Sequence, residues 1–107
     1  MDFEWDPGKE NSNLEKHGIS FVAAAQVLAS GTAMVFPSDH GGESRWLAVG
    51  GHPATGRVLA VVYTVREGRY RIISARRARR NEEEAYQRRI GTAPAKAEGQ
   101  SKRRARE

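Results

Sequence analysis

In residues 57–77 the chain reads RVLAVVYTVREGRYRIISARR, and this stretch decides the fold. Apolar side chains alternate with polar ones on both sides of Glu67-Gly68, a pair typical of a type I′ hairpin turn. The stretch therefore predicts two antiparallel strands, Arg57 to Arg66 and Arg69 to Arg77. Because the turn has two residues, it also fixes which positions lie opposite each other, whereas a turn one residue longer would invert the face assignment of the last strand.

The two faces of this hairpin differ in chemistry. The register places Tyr63 opposite Ile72 and Val62 opposite Ile73. One face then carries apolar side chains suited to packing under helices, namely Leu59, Val61, Tyr63, Val65, Tyr70 and Ile72. The other face carries Arg66, Arg69, Arg71 and Arg77 around Val62 and Ile73. The sequence thus predicts a sheet with one covered face and one basic face.

Other elements extend outward from the hairpin. Asp6, Ser20 and Asn81 are suitable N-caps, and Gly18 is a suitable helix stop. They predict three helices, at 7–17, 20–30 and 81–89. Further strands are predicted at 3–6 from alternation of aromatic and acidic residues, at 33–36 from a short apolar run and at 45–49 from a period of two. The predicted fold class is α+β, a small antiparallel sheet meander with two N-terminal helices and a C-terminal helix.

Charge is distributed unevenly along the 107 residues, whose net charge is +5. Residues 67–107 hold 13 basic and 6 acidic side chains, and 11 of the basic ones are Arg. Because the guanidinium fork matches phosphate and carboxylate oxygens, this half indicates an anionic partner. The alternative is a basic face that is merely solvated.

Residues 1–90 are expected to form one domain. Residues 91–107 are expected to be a disordered basic tail, which either raises RNA affinity or has no role.

Several classes of protein are excluded by what the chain lacks. Without cysteine there is no disulfide framework, thiolate zinc site or thiol nucleophile. His17, His40 and His52 lie in separate segments without metal-ligand spacing, so no metal and no cofactor is predicted. No apolar stretch is long enough to cross a membrane. A cytoplasmic location is expected.

The basic side chains are the remaining candidates for a chemical role. RNA cleavage needs little covalent machinery, since the 2′-hydroxyl is itself the nucleophile and a protein has to align the phosphate, stabilise its charge and move one proton. The pKa of the arginine guanidinium is so high that the group stays protonated and cannot serve as a base. His17 is therefore the best acid or base candidate, followed by Tyr86 or a glutamate. The candidate residues are Lys9, Lys16, His17, Arg66, Arg69, Arg71, Arg76, Arg77, Arg79, Arg80 and Tyr86.

Each candidate also has a purely structural explanation. His17 can be a favourable cation at the C-terminal end of the first helix. The arginines can form an interface that grips an acidic partner, and Tyr86 can pack on a helix face. For the whole chain, the competing interpretation is a non-catalytic nucleic-acid-binding or DNA-regulatory module.

Several motifs, in this order and spacing, carry a resemblance to a known family. The most specific are FEWD at 3–6, KHGISF at 16–21 and RIISAR at 71–76, and the shorter pieces NL at 13–14, GRxL at 56–59, VYTxR at 62–66 and RA at 77–78 also match. With these motifs the chain resembles the BrnT toxins of type II toxin-antitoxin systems over about residues 3–89. The tail from Gly91 matches nothing in the family pattern.

The resemblance implies a RelE-like ribonuclease fold and RNA cleavage that arrests growth. It also implies a BrnA-type antitoxin, a heterotetrameric complex and operator DNA binding through the antitoxin. Catalytic roles are carried over only to the candidates within matching motifs, which are Lys16, His17, Arg66, Arg76 and Arg77. RNA-binding roles for Lys9, Arg69, Arg71, Arg79, Arg80 and Tyr86 are proposed on physical grounds.

Overall fold

The computed structural model describes residues 2–90 as five strands and three helices. The strands are β1 (Asp2–Glu4), β2 (Met34–Pro37), β3 (Trp46–Gly51), β4 (Val58–Arg66) and β5 (Arg69–Arg77). The helices are α1 (Pro7–His17), α2 (Phe21–Ala29) and α3 (Arg80–Ile90). The predicted basic tail, residues 91–107, lies outside the described residues. No helix within 2–90 is long and apolar enough to cross a membrane.

The strands form one sheet in the order β1-β5-β4-β3-β2. Neighbours from β2 to β5 are antiparallel, as the predicted meander requires. The N-terminal strand β1 joins the other edge of the sheet in parallel with β5, a pairing that the sequence did not predict. The α+β fold class is confirmed, and the turn at Glu67 (φ 51°) and Gly68 (φ 78°) has the positive φ angles of a type I′ hairpin.

The register between β4 and β5 departs from the prediction halfway along the strands. Tyr63 lies opposite Ile72 as expected, but Val62 lies opposite Ser74. The predicted pair of Val62 with Ile73 is therefore wrong. Ile73 is an extra residue in β5, a β-bulge that reverses which face every later β5 residue occupies.

Capping interactions set the helix ends largely as predicted. The Asp6 carboxylate accepts a hydrogen bond from the Lys9 backbone N–H, and Gly18 adopts a left-handed conformation (φ 70°) after α1. Helix α3 begins at Arg80, one residue before the predicted range. The Glu82 carboxylate accepts from the Arg79 backbone N–H at 2.7 Å, which is half of a capping box, so the helix starts without Asn81 as its cap.

Helices cover the two faces of the sheet unequally. On one face α1 and α2 enclose the main core, which includes Phe21, Val27, Leu59, Val61 and Ile72. On the other face α3 encloses a smaller core at one end of the sheet, built from Met34, Val49, Val58, Ala60 and Tyr86. Val65, predicted to pack under the helices, is 48% exposed because it lies near the hairpin turn at the strand end. The sheet face that carries α3 is thus covered by a helix at one end only, and at the other end the loop before β3 reaches Thr64, whose hydroxyl donates to the Ser44 carbonyl at 2.7 Å.

Candidate nucleic-acid interface

The uncovered part of the α3 side of the sheet, here called the open face, is ordered by strand register. Side chains alternate between faces, so those in line with the buried Met34 and Ala60 lie on the α3 side. Next to α3 is one mainly apolar rung of cross-strand neighbours, formed by Phe36, Leu47, Val62 and Ser74. Beyond it are two charged rungs, formed by Thr64, Arg71 and Glu4 and by Arg66, Arg69 and Asp2.

The arginines of the open face are held by carboxylates of the chain itself. Arg66 Nη2 lies 2.7 Å from Glu43 Oε2, and Arg71 Nη1 lies 3.1 Å from Glu4 Oε2. Arg69 also approaches Glu4, at 3.7 Å. Hydrogen bonds from Arg66 and Arg45 hold the pKa of Glu43 below its usual value. These pairs fix the guanidinium groups across the sheet while leaving Arg66 and Arg69 more than half exposed to an incoming anion.

Arg76 is engaged more deeply than the other candidates. Its Nη1 and Nη2 atoms donate to both carboxylate oxygens of Glu82 at 2.8 and 2.9 Å. The hydrogen bond from Arg76 lowers the pKa of Glu82, and only 14% of the Glu82 side chain is exposed. The pair ties the first turn of α3 to β5, so the structure gives Arg76 a role in holding that helix.

Two candidates do not reach the open face. Because of the bulge at Ile73, Arg77 lies opposite Leu59, on the side of the sheet covered by α1 and α2. The prediction that Arg77 shares a face with Arg66, Arg69 and Arg71 is therefore wrong. Tyr86 is 6% exposed within the core under α3, and its hydroxyl reaches that of Thr32 at 3.4 Å. Tyr86 therefore packs on a helix face, which was the structural explanation offered for it from the sequence.

The remaining arginines of this region lie at the start of α3. Arg80 pairs with Glu84 one helical turn further on, and its side chain is 94% exposed. Arg79 is also exposed and precedes the helix. Both side chains are accessible to an anion. The exposed pair of Arg80 with Glu84 does little to hold the Arg80 side chain in one position.

A basic groove lies between α1 and the bulged edge of β5. Its volume is about 340 Å³, and its lining consists of Asp6, Gly8, Lys9, Ser12, Asn13, Lys16, His17, Ile73 and Ser74. Within residues 2–90 no ion pair engages Lys9, Lys16 or His17. Ser74 belongs both to this groove and to the apolar rung of the open face, so the two surfaces meet at Ser74.

Asn13 builds this groove, although the sequence assigned it no role. It is 5% exposed, and its Nδ2 donates to the carbonyls of Ile19 and Ala75 at 2.9 and 2.8 Å. Its Oδ1 accepts from the Ala75 backbone N–H at 3.0 Å. The amide thus takes the place of a neighbouring strand where β1 no longer covers the edge of β5. A buried asparagine in a mostly polar helix has no pattern that distinguishes it from an exposed one.

Replacing Asn13 by Ala should lower the free energy of unfolding by about 2 kcal/mol, because it leaves the buried backbone groups of Ala75 without partners. Chemical denaturation measures this loss. Asn11→Ala, an exposed change in the same helix, is the matched control and should stay within about 0.5 kcal/mol of wild type. Equal effects of the two substitutions would contradict the structural role of Asn13.

A small α+β domain with arginines on an open sheet face and an adjoining basic groove has the features of a protein that binds polyanions. Residues 5–82 match the family model described as the ribonuclease toxin, BrnT, of a type II toxin-antitoxin system. The chain therefore belongs to the BrnT family of ribonuclease toxins, and membership implies an antitoxin partner. No curated protein matches the sequence.

Proposed function

We propose that this toxin is a metal-independent endoribonuclease that acts in the cytoplasm, where it cleaves RNA and arrests translation and growth. The observation that carries the proposal is the junction at Ser74, where a groove with unengaged cations meets a sheet face with exposed arginines. An RNA strand laid across the open face would bring its phosphates to the arginines and one phosphodiester into the groove.

Cleavage in this arrangement is a transesterification. The RNA 2′-hydroxyl attacks phosphorus and gives up its proton to a base, the bond to the 5′-oxygen breaks, and that oxygen takes a proton. The products are a 2′,3′-cyclic phosphate and a 5′-hydroxyl. We assign removal of the 2′-hydroxyl proton to His17, which lines the groove from the last turn of α1, and the leaving 5′-oxygen takes its proton from water. Lys16 supplies positive charge in the same groove.

The arginines have graded roles in this proposal. Arg66 supplies charge to the phosphate, because it is the most closely paired arginine of the open face and yet 54% of its side chain is exposed. Arg69, Arg71 and Lys9 bind flanking phosphates, and Arg79 and Arg80 add exposed charge beside α3. Arg76 acts indirectly through Glu82, and Arg77 and Tyr86 are left out of the contact set because of where they lie.

Induced expression tests the cellular part of the proposal. Wild-type protein should stop growth and fragment RNA within the same interval, and the variant His17→Gln should do neither at equal protein level. Growth arrest with intact RNA would contradict cleavage as the cause. The competing function is a module that binds nucleic acid without cutting it. It predicts either growth arrest with intact RNA or no growth arrest at all.

The antitoxin is proposed to be of BrnA type, to form a heterotetramer with the toxin and to bind operator DNA itself. Residues 2–90 hold 13 basic and 11 acidic side chains, and Glu4 and Glu43 already neutralise part of the open face. An antitoxin that covers this face with further carboxylates would block RNA by occupying the same arginines.

Antitoxin and RNA should therefore compete for the toxin. Titration of antitoxin into toxin bound to a short labelled RNA should release the RNA stoichiometrically. Arg66→Ala should weaken both complexes, whereas Arg57→Ala, in the exposed loop before β4, should weaken neither. A ternary complex with both partners bound would contradict occlusion.

A further inference from the structure

Phe36 is an exposed aromatic side chain on the open face. It is 43% exposed, and it is the one aromatic among the exposed large apolar side chains of residues 2–90. Met34, two residues earlier in β2, is buried in the core under α3, so Phe36 projects from the same side of the sheet. Its cross-strand neighbour is Leu47.

The surroundings of Phe36 suit a nucleobase. The apolar rung is one side chain wide, with the α3 core on one side and the charged rungs of Arg66, Arg69 and Arg71 on the other. A strip this narrow is too small to form the apolar centre of a protein–protein interface, because such a centre needs several fully desolvated side chains. An exposed ring on a surface that also carries arginines, here on the neighbouring rungs of β4 and β5, is the arrangement by which proteins hold single-stranded RNA, with stacking for the base and charge for the phosphate.

The rung also sets a distance. Phe36 and Ser74 are separated by three strand-to-strand intervals, which amount to about 14 Å. That span accommodates a few nucleotides of an extended strand between the ring and the basic groove. RNA running across the strands would therefore meet Phe36 at one end of the apolar rung and, at the other end, the basic groove that His17 lines.

We propose that Phe36 stacks on one base of the bound RNA, a few nucleotides from the phosphodiester in the basic groove. The inference rests on the proposed function and adds to it a second anchoring point. Because every base has an aromatic face, this anchor increases affinity with little sequence preference and sets a minimum length for a well-bound substrate.

Binding of a short 2′-O-methyl RNA to the full-length chain tests the proposal, since this probe lacks the attacking hydroxyl. Phe36→Ala should weaken binding about 5- to 150-fold. Phe36→Tyr should keep the wild-type affinity. Val35→Ala is the matched control, because Val35 is 48% exposed on the same strand but projects from the opposite face. A 2-aminopurine base in the probe should be quenched by wild type and Phe36→Tyr, and not by Phe36→Ala.

The outcomes separate this inference from the proposed function. If wild type binds the probe and Phe36→Ala binds it as tightly, with equal quenching, the stacking role is wrong and the ribonuclease proposal stands. If wild type binds no RNA, both are wrong. If Phe36→Ala weakens only antitoxin binding, the ring is a protein contact and the inference is overturned. Phe36→Leu, which keeps apolar packing without a ring face, should behave as Phe36→Ala and guards against a folding defect.

Discussion

Replacing His17 by Gln should lower the rate of RNA cleavage by about 10²- to 10⁴-fold, the loss typical of a missing general acid or base. The side chain is exposed at the end of α1, lines the basic groove and has no ion pair within residues 2–90. Its position in the last turn of α1 limits its contribution to stability to about 1 kcal/mol or less. Single-turnover cleavage and thermal unfolding measure the two effects separately.

His40→Gln is the control for this prediction, because His40 is an exposed histidine in the loop before β3 and does not line the groove. It should cleave RNA at the wild-type rate. If His17→Gln retains full activity, or if its activity falls only in proportion to the folded fraction, then His17 serves the helix end and the proton transfer belongs to another group.

Replacing Arg66 by Ala should cost about 3 kcal/mol of transition-state stabilisation, which is roughly a hundredfold in cleavage rate. Stability should change little, because the pair with Glu43 is exposed to solvent and such pairs contribute weakly. Arg66→Lys should recover part of the rate, since it restores the charge without the planar fork.

Glu43→Gln provides a second variant at this pair. It frees Arg66 from its carboxylate partner while leaving the guanidinium in place. If Glu43 only orients Arg66, this variant should lose activity by less than Arg66→Ala does. Loss of melting temperature in step with activity in Arg66→Ala would show instead that the pair holds the loop before β3.

The fold was predictable where a local signal dominates. The Glu67-Gly68 turn and the caps at Asp6 and Ser20 act through neighbouring residues, and the structure confirms all three. The bulge at Ile73 has no such signal. In the run Ile72-Ile73-Ser74 two successive apolar residues fit either register, and the next residue, Ala75, is bound by the Asn13 amide, which comes from a helix far away in sequence.

The site was predictable in composition and less so in arrangement. The sequence identified Arg66, Arg69 and Arg71 as one basic face, and the structure places them together. It did not predict that Glu4 and Glu43 neutralise this face, because both carboxylates come from separate segments that only the folded sheet brings near. The sequence assigned Arg77 to the wrong face because it did not predict the extra residue, Ile73, in β5.

The most direct test of the account is RNA cleavage by the purified full-length toxin in EDTA, with the ends of the products identified by mass spectrometry. We predict fragments that end in 2′,3′-cyclic phosphate and begin with 5′-hydroxyl. They should form at a rate that EDTA does not change and that His17→Gln lowers about 10²- to 10⁴-fold. RNA that stays intact in EDTA at every toxin concentration where it is bound would contradict metal-independent cleavage by this groove.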